Sequence, residues 1–130
     1  MPLKMETHIS GDVLIMHCRG RIVYGDEAAA FRDRIKNILL GTNQIVVNLS
    51  GVDYIDSGGL GTLVGTLAST RNQHGEIKLV RPLPRVTDLL RRTRLDTVFK
   101  SYENDDDAVA AFRAKRWAAA GRGRCTRLRM

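Results

Sequence analysis

Several features that define other protein classes are missing from this sequence. Its 130 residues contain no run of eighteen apolar residues, so no segment is long enough to cross a bilayer as a helix. The first six residues lack the apolar core of a secretory signal, and we therefore expect a cytoplasmic protein with no membrane partner. Cys18 and Cys125 are the only cysteines, and their wide spacing indicates reduced thiols rather than a disulfide framework.

Residues that typically bind metals are also sparse. His8, His17 and His74 lack the close spacing of a metal site, so we interpret them as ordinary strand or surface residues. Three consecutive carboxylates at 105–107 precede the apolar segment 108–112. Negative charge stabilises a helix N-terminus, which is the simpler explanation for this cluster than a divalent metal site. We predict no metal and no cofactor.

Common catalytic and nucleotide-binding motifs fail at the most conspicuous stretch, residues 52–64. A nucleophile elbow, G-x-S-x-G, centred on Ser57 would need glycine where Ile55 stands. A dinucleotide-binding fingerprint that starts at Gly59 would need its third glycine at Val64. No G-K-[ST] phosphate loop occurs either. We therefore predict that the protein is not an enzyme.

The net charge of +7 is confined to the C-terminus. Residues 1–112 contain 14 Lys and Arg and 14 Asp and Glu, whereas residues 113–130 contain the other 7 basic residues and no acid. This division indicates a single domain over residues 1–113 and a basic, disordered tail over 114–130. The tail could bind a polyanion, but Trp117 is its only aromatic residue, so we expect no direct nucleic-acid binding.

The apolar pattern alternates between strands and helices, which is typical of an α/β layer fold. The expected strands are Met5–Ser10, Asp12–Cys18, Ile45–Leu49, Glu76–Val80 and Leu95–Ser101, and the expected helices lie near residues 26–40, 57–75, 84–94 and 108–112. The two first strands form a hairpin, and the later βαβ units require parallel neighbours. We predict a mixed β-sheet, an opening hairpin plus βαβ units, packed with about four α-helices.

The central helix has two different faces. Asp56 and Ser57 are residues that cap helix N-termini, so the helix should begin at about Ser57. One stripe is apolar and should face the sheet: Leu60, Leu63, Val64 and Leu67. A second stripe of minimal side chains consists of Gly61, Gly65 and Ser69. Because glycine destabilises a helix interior, this stripe indicates close approach of another surface, either a partner or a neighbouring element of the same domain.

The run Asp56-Ser57-Gly58-Gly59-Leu60-Gly61 resembles the D-S-x-G-L-G signature of the STAS domain family, and in particular of bacterial anti-sigma factor antagonists. The segment 20–22 is similar to that family's G-x-[LI] element, and segments 84–90 and 95–99 are similar to its third helix and last strand. The resemblance covers about residues 5–113. It therefore implies a STAS-like fold for one domain and leaves the tail without a counterpart.

The resemblance implies a partner-switching protein with Ser57 as the phosphoacceptor. In that family the unphosphorylated antagonist binds an anti-sigma factor that is also its serine kinase, phosphorylation releases it, and a serine phosphatase resets the cycle. The residues implied in partner binding are Asp56, Ser57, Gly58, Gly59, Gly61, Thr62, Gly65 and Ser69. Backbone N–H groups of Gly58 and Gly59 are expected to accommodate the phosphate.

Two alternatives stay open. STAS-like domains also serve as scaffold or regulatory subunits of signalling or transporter complexes, in which Ser57 need not be phosphorylated. Without the resemblance, Ser57 is explained as a simple helix cap. Whether the chain is a monomer or a homodimer is left undecided by the sequence.

Overall fold

The structure is a computed structural model that describes residues 3–113 of the 130-residue chain. The elements are β1 (Lys4–Ser10), β2 (Val13–Ile22), α1 (Asp26–Ile38), β3 (Gln44–Ile55), α2 (Ser57–Asn72), β4 (Glu76–Val80), α3 (Pro84–Arg92) and β5 (Ser101–Tyr102). A fourth helix, α4, covers residues 105–113. Within this part of the chain, no helix is both long and apolar enough to span a bilayer. The expected tail lies outside the described residues.

The five strands form one mixed sheet in the order β1-β2-β3-β4-β5. β1 runs antiparallel to β2, and each of the other neighbouring pairs is parallel. Ser10 pairs with Val13 across a two-residue turn, in which Gly11 has a φ of 65° that glycine adopts without strain. The predicted mixed sheet with an opening hairpin is confirmed.

The two faces of the sheet carry separate cores because side chains alternate along each strand. On one face, β3 residues such as Ile45 and Val47 pack with residues of α1, α2 and α3. On the other face, Val46 and its neighbours on β2 and β4 pack against Val109 and Phe112 of α4. Ile45–Leu49 is buried throughout, as expected for a strand covered on both sides.

β3 is longer than the sequence predicted. We expected this strand to end at Leu49, before Ser50 and Gly51, but it continues to Ile55 and stays paired with β2 through two register shifts. A Cβ atom at position 51 would lie 2.5 Å from Cγ of Arg19 and 2.9 Å from the carbonyl oxygen of Cys18. Gly51 therefore permits close strand approach at an irregular pairing, and it is not a strand breaker.

The last strand and the last helix also differ from their predicted boundaries. The expected strand Leu95–Ser101 is mostly a turn, in which the N–H groups of Val98 and Phe99 donate to the Leu95 carbonyl oxygen, and only Ser101–Tyr102 is strand. The Phe99 side chain at the end of this turn is buried in the core. α4 begins at residue 105 rather than 108, because the Asn104 side chain accepts the Asp107 N–H at 2.8 Å and caps the helix.

Candidate functional site

The end of β3 and the start of α2 meet at Asp56, which caps the helix. Its carboxylate accepts the N–H of Gly59 at 2.7 Å, and its own N–H donates to the Ile22 carbonyl oxygen at 3.3 Å. The same carboxylate accepts the Tyr24 N–H at 3.0 and 3.2 Å from its two oxygens. Asp56 therefore ties the start of α2 to the loop that follows β2.

These hydrogen bonds also determine the charge of the carboxylate. The Gly59 N–H is the main reason that the pKa of Asp56 lies below its usual range. Partial burial opposes this effect, while the Tyr24 N–H, the positive charge of Arg85 and the Gly58 N–H add to it. Asp56 is consequently a fixed negative charge next to Ser57 at neutral pH.

Ser57 is the first residue of α2 and its side chain is exposed. Among residues 3–113, no hydrogen-bond partner is assigned to its hydroxyl, whereas the capping role belongs to the neighbouring Asp56. The explanation of Ser57 as a simple helix cap is therefore not supported. A free hydroxyl at a helix N-terminus is accessible to an enzyme that modifies it.

The two glycines after Ser57 are required by packing. A Cβ atom at Gly59 would lie 2.1 Å from the Ile22 carbonyl oxygen, and one at Gly58 would lie 2.5 Å from the Tyr24 side chain. The expectation that both N–H groups would be available for a phosphate was wrong for Gly59, because Asp56 already occupies that N–H. An anion on Ser57 would therefore lie beside a charged carboxylate with fewer free donors than expected.

Gly61 and Gly65 behave differently from Gly58 and Gly59. Both are exposed, and a Cβ atom at either position would meet nothing within 4 Å. The alternative that these glycines let α2 pack tightly on its own domain is therefore wrong for the residues described. Ser69 continues the exposed stripe one turn further along α2.

A cleft between α1 and α2 lies beside this stripe. It has a volume of about 300 Å³, and its lining includes Thr62, Gly65 and Ser69 from α2 with Arg32 and Lys36 from α1. Sequence reasoning identified the α2 side of this cleft and missed the two cations on the α1 side. Since the helices are far apart in the sequence, only the tertiary fold brings the two sets together.

Two further residues of the site were missed. Tyr24 is 76% exposed and lies against Gly58, so it places an aromatic surface beside Ser57. Arg85 of α3 donates to the Ile55 carbonyl oxygen, directly before Asp56. Neither residue is in the motif, although Tyr24 follows the segment 20–22 that the sequence had already singled out.

The histidines are also more organised than expected. The rings of His8 and His17 stack with centroids 5.4 Å apart, and Nε2 of His17 lies 2.8 Å from the Asp105 carboxylate. Asp105 in turn accepts a hydrogen bond from the buried Asn48 at 2.7 Å. Within residues 3–113, no group of three or more His, Cys, Asp or Glu is arranged to hold a metal ion. These contacts fasten α4 to the sheet.

Comparisons with known proteins identify relatives with a similar sequence and a similar fold. A Thermotoga maritima protein named as a candidate anti-sigma factor antagonist is 37% identical over 75 residues, which are 58% of this chain and 66% of that relative. The chain thus spans slightly less than two thirds of the curated relative. A crystal structure of a candidate anti-sigma factor antagonist from Thermotoga maritima superposes with a TM-score of 0.71 at 30% identity, covering 84% of this chain and 94% of the other.

The fold is shared more widely. The phosphorylated form of SpoIIAA, a Bacillus cell fate determinant, superposes with a TM-score of 0.68 at 14% identity, covering 84% of this chain and 99% of the other. The family model of the STAS domain matches residues 4–108, which include all five strands and helices α1 to α3. This chain belongs to the STAS domain family.

Proposed function

We propose that this chain is a cytoplasmic anti-sigma factor antagonist that acts by partner switching and has no enzymatic activity of its own. The observation that carries the proposal is the exposed hydroxyl of Ser57 at the first position of α2, which has no hydrogen-bond partner among the described residues. The helix is capped by the neighbouring Asp56 and not by Ser57. Similarity to the Thermotoga maritima relatives supports the partner class.

In the proposed cycle, unphosphorylated protein binds an anti-sigma factor that is also a serine kinase. Phosphate transfer to Ser57 releases the antagonist, and a serine phosphatase restores the binding-competent form. The proposed partner surface consists of the accessible members of the set that the sequence singled out: Asp56, Ser57, Gly58, Gly61, Thr62, Gly65 and Ser69. Gly59 is buried against Ile22 and supports this surface from inside the domain. Exposed glycines that the fold does not require fit a surface on which a partner approaches the helix backbone closely.

Charge is the proposed reason why a single phosphate on Ser57 releases the partner. Phosphorylation adds about −1.5 to −2 charge at pH 7. Asp56 is already ionised beside Ser57, and it uses the Gly59 N–H that could otherwise stabilise the new anion. Burying this combined charge under a partner requires desolvation, and a penalty of about 3 kcal/mol weakens binding roughly a hundredfold.

The test is a phosphorylation and binding series with the cognate anti-sigma factor, identified by co-purification. The wild type is incubated with this kinase and ATP, the phosphate is mapped by mass spectrometry, and each variant is titrated against the partner. Ser57→Ala should bind without taking up phosphate, and Ser57→Asp should bind about a hundredfold more weakly with an unchanged circular-dichroism spectrum. Ser101→Ala, at an exposed serine of β5, is the matched control and should behave as wild type.

Phosphate on another residue, or equal affinities of Ser57→Ala and Ser57→Asp, would contradict the switch. Recovery of a transporter ATPase or a signalling scaffold as the co-purifying partner would instead favour a regulatory subunit without Ser57 phosphorylation. The experiment therefore separates the two functions that the sequence left open.

A further inference from the structure

Within residues 3–113, the edge of the sheet at β1 is not covered by another strand. In this part of the chain β1 pairs only with β2, and its residues are mostly exposed, including Ile9 at 72%. An edge strand of seven residues presents a row of backbone donors and acceptors that another strand can complete. Here we propose that a second copy of this chain pairs with β1 in antiparallel orientation, forming a two-fold symmetric dimer with a continuous ten-stranded sheet.

The hairpin register fixes which backbone groups face outward. Ser10 and Val13 close a two-residue turn, and such a closing pair is hydrogen bonded. Hydrogen-bonded and non-hydrogen-bonded pairs alternate along an antiparallel ladder, so Ser10 and its even-numbered neighbours direct their backbone groups towards β2. Met5, Thr7 and Ile9 therefore direct their N–H and C=O groups to the free edge.

The sequence of β1 is self-complementary when the two-fold axis passes between two Thr7 residues. In that register Met5 lies opposite Ile9 of the second copy, and Glu6 lies opposite His8 of the second copy. The first pair is apolar and covers the exposed Ile9 side chain, whereas the second pairs a carboxylate with an imidazole. The apolar pair buries exposed surface, and an imidazole N–H of His8 can donate to the Glu6 carboxylate, which also contacts Arg19 of β2 at 3.3 Å.

Neighbouring registers are worse. Centring the axis on Glu6 places two carboxylates opposite each other, which is unfavourable. Centring it on His8 places two imidazoles opposite each other and leaves Glu6 opposite Ser10. In the register centred on Thr7, the outward N–H and C=O groups of Met5, Thr7 and Ile9 lie opposite those of Ile9, Thr7 and Met5 of the second copy. The same residues thus contribute from both copies, as an isologous interface requires.

The proposed dimer leaves the Ser57 site free. Ser57 follows the carboxyl end of β3, two strands away from the β1 edge. Because the pairing is antiparallel, the two Ser57 residues lie at opposite ends of the joined sheet. One dimer can therefore present two separate sites, and the proposal does not depend on what binds there.

The first test is sedimentation equilibrium of the full chain at about 0.5 mM, a concentration that populates contacts with a Kd near 1 mM or below. The weight-average mass of the wild type should rise from the monomer mass of 14.5 kDa to about 1.4 times that value if Kd is 1 mM, and closer to twice it if binding is tighter. Thr7→Pro removes a backbone N–H that faces the free edge and makes no hydrogen bond to β2. Ile9→Lys places a charge opposite Met5 of the second copy. Both variants should therefore sediment as monomers. Ser101→Lys, at an exposed residue of β5 on the opposite edge of the sheet, is the control and should remain dimeric.

The second test traps the register. In a Cys125→Ser background, Thr7→Cys should form an intermolecular disulfide on mild oxidation, because paired strands place opposite Cα atoms within disulfide distance. Arg32→Cys, at an exposed residue of α1, should not cross-link. A wild type that stays monomeric at 0.5 mM, or equal cross-linking at both positions, would overturn the proposal. If Thr7→Pro fails to fold, Ile9→Lys and the cross-link still decide it.

Discussion

Replacing the exposed glycines of α2 by alanine should stabilise the domain while weakening partner binding. A Cβ atom at Gly61 or Gly65 meets nothing within 4 Å, so alanine introduces no clash. Glycine in a helix interior costs about 0.5–1 kcal/mol relative to alanine, and the double variant should therefore gain about 1–2 kcal/mol. For a domain of this size, that gain raises the melting temperature by roughly 4–8 °C.

Gly59→Ala is the matched control in the same helix. Its Cβ atom would lie 2.1 Å from the Ile22 carbonyl oxygen and 2.7 Å from the carbonyl carbon, and backbone cannot swing aside as a side chain can. The start of α2 would have to shift, at a cost of about 1–3 kcal/mol or more. Alanine should thus have opposite effects on stability at positions two residues apart.

The assays are thermal unfolding by circular dichroism and calorimetric titration with the anti-sigma factor. If the partner contacts the bare helix backbone, a methyl group at Gly61 should reduce affinity roughly 5- to 30-fold, equivalent to about 1–2 kcal/mol. If Gly61→Ala lowered the melting temperature, the conclusion that a Cβ atom at Gly61 meets no other atom would be refuted. Unchanged affinity in the double variant would refute the partner surface and leave the stabilisation unaffected.

Three further predictions concern other parts of the chain. The pKa of Asp56 is lower in the folded state than in the unfolded state, so its carboxylate stabilises the fold fully above the unfolded pKa of about 3.9. This stabilisation disappears as pH falls through the folded pKa. The difference in the free energy of urea unfolding between wild type and Asp56→Asn should therefore shrink from pH 6 to pH 3. Burial raises the pKa of Cys18 to about 12, so iodoacetamide should label it only after unfolding, as peptide mass mapping can show. Truncation after Arg113 should leave the melting temperature nearly unchanged and abolish salt-sensitive heparin binding; a loss of several degrees would contradict this.

Local patterns were sufficient to predict the order of strands and helices and the position of the cap. Residues 45–49 are apolar except for the buried Asn48, because both faces of β3 are covered. Asp56 precedes the helix because its carboxylate accepts the Gly59 N–H. Predicted strand ends were wrong where residues distant in the sequence determine how far the strand continues. Gly51 resembles a strand breaker in sequence, yet Cys18 and Arg19 of β2 lie so close that only glycine fits within the continuing strand.

Residues contributed by other elements could not be predicted from the motif. Tyr24, Arg85 and Lys36 reach the Ser57 region or its adjoining cleft from a loop, from α3 and from α1. Their placement depends on how those elements pack on the sheet, for which a single sequence contains no direct signal. The stacked His8 and His17 were missed for the same reason, since strand register alone brings them together.

The network around Asp56 predicts that the proposed phosphorylation of Ser57 acts through charge rather than through refolding. One carboxylate holds the Gly59 N–H of α2 and the Tyr24 N–H of the loop after β2, so the surface around Ser57 is already fixed before any partner binds. A phosphate on the exposed hydroxyl breaks none of these hydrogen bonds. We expect its effect to fall instead on the proposed partner, which must desolvate two adjacent anions. Ser57→Asp should therefore lose affinity while keeping the melting temperature of the folded domain.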